Sequence, residues 1–192
     1  MRKYNKKIDL KKVLPLLLEK YGLGFNEKDK LFYSNIYGKI FGDCVFTNGI
    51  IQTTQAYADA GEQVYFYYMT HQPLLNHDSR FGIETAKKPD YIGADHADDI
   101  YFTFGLPFLP QNLKNGFRFS YGEEEMSKKM MTYFTNFAKS GNPNMPVKLE
   151  LEWPLYDTKS KQHIEFKTPT LGLGENLGKD SMHLYSNELS KL

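Results

Sequence analysis

An α/β fold is predicted by three features of the sequence. The segment "QVYFYYM", Gln63 to Met69, is rich in β-formers and carries no charge, as a central strand buried in an α/β sheet would. Helical periodicity flanks it on both sides. The helices are too many for so little sheet, so this strand is expected to need neighbours that the chain does not supply.

The elements follow in order. "DLKKVLPLLLEKYG" places Leu10, Val13, Leu14, Leu17 and Leu18 at spacings of three and four, which suits a short helix ending at Gly22. "NEKDKLFYSNIYGKIFGD" offers Asn26 as an N-cap and continues as helix to about Phe41. A further helix is expected from Thr47 to Ala60, closed by Gly61. After the strand, prolines and a glycine make "THQPLLNHDSRFGIETAKKPD" a loop. "DDIYFTFG" allows at most two helical turns, with Asp98 and Asp99 at their positive end. The clearest helix is "SYGEEEMSKKMMTYFTNFAKSGNPN". Met126, Met130, Tyr133, Phe134 and Phe137 form its apolar stripe, acids fill its first turn, and Gly141 and Pro143 stop it. That stripe is read as core. "WPLYD" at Trp153 is a turn, "HIEFK" from His163 to Lys167 alternates like a short edge strand, and the tail ends in a ragged helix.

The chain of 192 residues is long enough for one core or for a large piece of a bigger one. Its 24 Lys and Arg balance 23 Asp and Glu, so nothing points to nucleic acid or another polyanion as partner. The basic "MRKYNKKIDLKK" reads as a solvated helix approach. "VLPLLL" is too short for a transmembrane segment, and no cleavage site for a signal peptide follows it, so localisation stays open. The single Cys44 forms no internal disulfide and is read as a free buried thiol.

One stretch concentrates the chemistry: "YIGADHADDIYFTFGLPFLP" sets His96 among Asp95, Asp98 and Asp99. A histidine on a loop behind a buried strand could serve as general base, but from the local residues alone a solvent-facing or structural loop residue is the stronger reading. Metal binding by this cluster is disfavoured, because its spacing matches neither HExxH nor an EF-hand. His71 and His77 are read as surface residues, and His163 and His183 have no evident company. No cofactor motif is present. A nucleophile is conspicuously missing: no GxSxG occurs, and "SYG", "KSGNP" and "GKDS" do not form a strand-to-helix elbow.

These residues carry a resemblance. "GADHADDIYFTFGLPF" resembles the histidine-loop signature of the type B carboxylesterases, which include the cholinesterases, and is most similar to that of the bile-salt-activated lipases. "FGDCVF", "QVYFYYMTH", "FTNFAKSGNPN" and "LEWPLYD" resemble further family segments in family order, from about Leu10 to about Tyr185. The resemblance implies that residues 1–192 are a partial domain, the C-terminal third of an α/β-hydrolase fold, incomplete on its own. It implies a serine carboxylic-ester hydrolase in which His96 is the catalytic base and a carboxylic ester is the substrate. Gly93, Asp98, Asp99, Gly105 and Phe108 match the scaffold of the loop. Family order places the acid at or before the N-terminus of this chain, and the serine and the glycine-rich oxyanion segments in the missing N-terminal part. This chain alone is therefore expected to be inactive, and to associate or fold poorly. The alternative is a non-catalytic paralogue or interaction module built from the same fold.

Overall fold

The computed structural model describes residues 9–22, 28–73, 92–114, 117–185 and 189. They form two compact units, one of residues 61–175 and the other of residues up to 60 together with those from 176 onward. The expected Asn26 cap and His77 lie outside the described residues.

In the unit of residues 61–175, the sheet runs β1 (Tyr67–Met69), β2 (Gln162–Phe166), β3 (Gly172–Glu175) in that spatial order. β1 pairs in parallel with β2, Tyr67 opposite Ile164, and β2 pairs antiparallel with β3, His163 opposite Gly174. Two sequence expectations change here. The segment read as a central strand lies at the edge among the described residues, and only its last three residues join the ladder. Residues before them bond more irregularly: Val64 O accepts from Tyr156 N, and Phe66 O accepts from Ile164 N and from the Trp153 indole. The segment read as an edge strand is central, because its partners come from chain segments far apart in sequence.

Alternation along β2 explains how the core attaches. Ile164 and Phe166, both fully buried, face the stripe of α5 (Tyr121–Ser140), where Met126, Met130 and Tyr133 are buried as expected. Phe137, at the end of that stripe, is half exposed. Trp153 fills the middle, edge-on to Tyr67, Tyr133, Phe134 and Phe166 with ring centroids 5.6–6.0 Å apart. The opposite face of β2 carries His163, buried to 2% exposure. Its ring lies over Gly174 of β3, where a Cβ would overlap it, so this antiparallel pair needs glycine.

α5 begins with a full capping box. The Ser120 side chain accepts from Glu123 N, and the Glu123 carboxylate accepts from Ser120 N at 2.7 Å. Gly141, left-handed at φ 73°, ends the helix where the sequence predicts. Beyond it, Asn136 ties down the following loop by donating to Pro143 O and Val147 O, both at 2.8 Å.

In the other unit, α1 (Leu10–Tyr21), α2 (Phe32–Gly42) and the end of α6 (Lys179–His183) pack around Tyr21, Phe32, Ile36 and Leu184. α3 (Asn48–Asp59) meets α6 where Ser181 Oγ donates to Asn48 Oδ1 at 3.2 Å. A π turn at Asp43–Thr47 joins α2 directly to α3, so the two expected helices are continuous. Leu10 and Leu14 of the predicted α1 stripe are exposed. Cys44 is exposed rather than buried, because the π turn directs it outward, where its thiol donates to the Tyr185 hydroxyl at 2.7 Å. Tyr21 donates to Asp43 at 2.9 Å, and burial, with Tyr185 and Asp43 adding to it, raises its pKa.

Candidate active site

His96 sits on the turn that leads into α4 (Asp98–Thr103), and its side chain is exposed. The turn is built by its own carboxylates. Asp95 Oδ1 accepts from His96 N at 2.7 Å, and Asp98 Oδ2 accepts from Asp95 N at 2.8 Å. Asp98 is fully buried, so a water-excluded carboxylate holds the backbone just ahead of the exposed histidine. Ala97, directly after His96, has φ 70°, a left-handed conformation that is costly for a residue with a Cβ.

Asp99 takes a different direction. Its Oδ2 accepts from the Tyr67 hydroxyl at 2.8 Å, so the first turn of α4 is bonded to β1. Burial raises the pKa of the Tyr67 phenol, and the Asp99 charge and hydrogen bond raise it further. The hydroxyl therefore remains a donor at neutral pH. Farther along α4, Phe102 O accepts from Ser127 Oγ of α5 at 2.7 Å. Gly105 then closes the segment at φ 70°, a left-handed conformation that favours glycine, and an added Cβ would come within 2.8 Å of the Met131 sulfur.

The three carboxylates of the turn thus serve separate partners instead of converging. Among the described residues, no three His, Cys, Asp or Glu side chains are grouped so as to hold a metal ion. A depression of about 420 Å³ lies between Gln111, Lys114, Phe117, Arg118, Phe119 and Glu124, and none of the turn residues lines it.

One polar cluster escaped the sequence. His71, expected on the surface, keeps only 13% of its side-chain area exposed. Its Nε2 lies 3.1 Å from the fully buried Glu123 carboxylate, its Nδ1 lies 2.9 Å from Thr168 Oγ1, and its ring meets Phe102 edge-on. The capping-box spacing of Ser120 and Glu123 was visible in the sequence, but nothing local signalled a histidine 52 residues earlier as the carboxylate's other partner. His163 differs again. Burial lowers its pKa, outweighing a backbone hydrogen bond with Lys161 and the charge of Glu165, which act in the opposite direction.

The histidine turn, the strand below it and the long helix beside it stand in the order of a known family, whose profile, that of the carboxylesterase family, matches residues 1–185. The chain belongs to the carboxylesterase family. Family membership implies an α/β-hydrolase fold, and the small mixed sheet with helices against it agrees with that. Among relatives, this carboxylesterase-family chain is 33% identical to mouse (Mus musculus) Carboxylesterase 5A over 153 residues, covering 78% of this chain and 24% of that protein. It is 32% identical to bovine (Bos taurus) Carboxylesterase 4A, covering 83% of this chain and 26% of that protein. It is 37% identical over 115 residues to the medium-chain fatty acyl-CoA hydrolase precursor of the duck Anas platyrhynchos, covering 60% of this chain and 18% of that protein. The chain therefore spans about a quarter or less of the length of these relatives. No described helix is long and apolar enough to cross a membrane.

Proposed function

We propose that these residues are the C-terminal portion of a serine carboxylic-ester hydrolase and that His96 is its general base. The observation that carries this reading is the "GADHADD" turn: an exposed imidazole on a backbone held by a buried carboxylate, bonded through Asp99 to the strand behind it. A base needs such placement, because its nitrogen must stay within hydrogen-bond reach of a nucleophile it does not carry.

In the proposed reaction, the serine and the acid come from the remainder of the fold, and both units described here belong to that single domain. His96 takes the serine hydroxyl proton as the oxygen attacks the ester carbonyl carbon. It then delivers that proton to the departing alcohol oxygen as the carbon–oxygen bond breaks. In the second half, it takes a proton from water attacking the acyl-enzyme and returns it to the serine. Gly93, Asp98, Asp99, Gly105 and Phe108 shape the turn without touching the reacting atoms. The substrate class is a carboxylic ester, in line with the ester- and acyl-hydrolase names of the relatives.

The test is His96→Ala in the longer protein that carries these residues. Turnover of a short-chain ester should fall by roughly three to four orders of magnitude with the melting temperature unchanged. Full activity in that variant would end the assignment.

A further inference from the structure

We infer that Tyr67, acting through Asp99, is a positioning residue for His96, an inference that rests on the proposed catalytic role of His96. Three observations carry it. The first is the fixity of Tyr67. Its ring stands edge-on to Phe134 at 5.5 Å, Phe166 at 5.7 Å and Trp153 at 5.9 Å, so three core rings hold it in one orientation. Its hydroxyl is thereby a fixed post at the margin of the core, and the 2.8 Å bond to Asp99 is made to that post.

The second is the strain beside the histidine. A left-handed alanine persists only where its surroundings over-determine it, and Ala97 lies between His96 and Asp98. Asp98 bonds back to Asp95 within the turn and maintains the turn's shape, which must also be held in place on the scaffold. Asp99, bonded to a residue 32 positions away in sequence, supplies that place.

The third is the geometry of α4. Its far end is pinned to α5 by Ser127 and Phe102, and its near end, next to His96, is pinned to β1 by Asp99 and Tyr67. Removing the near pin takes away the bond from this end of α4 to β1, and His96 rides on that end. Misplacing a reacting group by about 1 Å costs roughly a hundredfold in rate. Tyr67→Phe keeps all the ring packing and removes only the pin.

The experiment compares Tyr67→Phe, Asp99→Ala, Asp99→Asn and the double variant Tyr67→Phe/Asp99→Ala in the longer hydrolase, with His96→Ala as reference. Tyr67→Phe should lower kcat about ten- to a hundredfold with KM changed less than about twofold. Asp99→Ala should match it, and the double variant should lose no more than either single change, because both remove the same bond. Asp99→Asn keeps an oxygen that can accept from the phenol, and should recover most of what Asp99→Ala loses. If Tyr67→Phe fails to fold, the Asp99 pair of variants carries the same comparison. Positioning is overturned if kcat stays within twofold in Tyr67→Phe or Asp99→Ala, if the two losses multiply, or if Asn is as damaging as Ala. An active His96→Ala enzyme instead overturns the catalytic reading itself and positioning with it, so the two failures are distinguishable.

Discussion

Replacing Glu123 by Ala removes a carboxylate with no solvent exposure from a junction of three chain segments. Its Oε2 accepts from Ser120 N at 2.7 Å and from Ser120 Oγ at 2.9 Å, and its Oε1 is 3.1 Å from His71 Nε2. The change therefore uncaps α5, releases His71 and vacates a polar site. A lost helix cap costs about 1 kcal/mol, and losing the hydrogen bonds of a buried carboxylate up to about 3 kcal/mol. These terms share partners and do not add, and water can enter beside the exposed Ser120, so we expect about 3 kcal/mol in all. Glu123→Gln retains an acceptor for Ser120 and offers His71 an amide, and should cost about half as much. Trp153 is the sole tryptophan, is buried and lies in the same unit, so its fluorescence during urea unfolding reads the effect directly. With a urea dependence of about 1.5–2 kcal/mol per molar, Glu123→Ala should lower the midpoint by roughly 2 M. A shift below about 0.5 M, or a Gln variant as unstable as Ala, would refute the claim that this buried carboxylate anchors the helix start.

Three further outcomes are expected. His163 is neutral when buried, whereas unfolding lets it protonate near its ordinary value of 6.5. The stability of the unit should therefore be complete above that pH and decline as the pH falls below it, and His163→Phe should flatten the slope in Trp153-monitored urea midpoints. The 192-residue chain alone should hydrolyse a short-acyl p-nitrophenyl ester no faster than background, and enzyme-like turnover abolished by His96→Ala would contradict that. Tyr33, Tyr37 and Phe41 repeat every four residues along α2 and are about half to three-quarters exposed, and β1 has a strand on one side only among the described residues. The chain should therefore self-associate, its weight-average mass in sedimentation rising with concentration, and a monomer at all concentrations would count against the idea.

What was legible in the sequence was local. The α5 stripe, its acidic start and its glycine stop all lie within one periodic stretch, and the structure reproduces them with only Phe137 displaced toward solvent. The histidine turn was visible through its motif. Its anchoring was not, because Asp99 and Tyr67 are 32 residues apart and neither type announces the other. The sheet was least legible. β3 is the glycine-bearing "GLGE", which lacks β-formers because a glycine must lie beneath the His163 ring, so propensity could not mark it. Without that strand in view, β2 looked like an edge. The place of His71 is hidden from the sequence for a similar reason, since its partners Glu123 and Thr168 are both remote along the chain.

The parallel register of β1 with β2 also sets an order of events during synthesis. Tyr67 leaves the ribosome nearly a hundred residues before its ladder partner Ile164. Until then the strand cannot form its rungs with β2, whereas α5, made of contacts within one turn, can fold as it emerges. A nascent chain halted before Gln162 should leave the segment around Tyr67 open to protease, and one extended past Glu175 should protect it. The turn bearing His96 is thus made early but seated late, waiting on a strand that has not yet been translated.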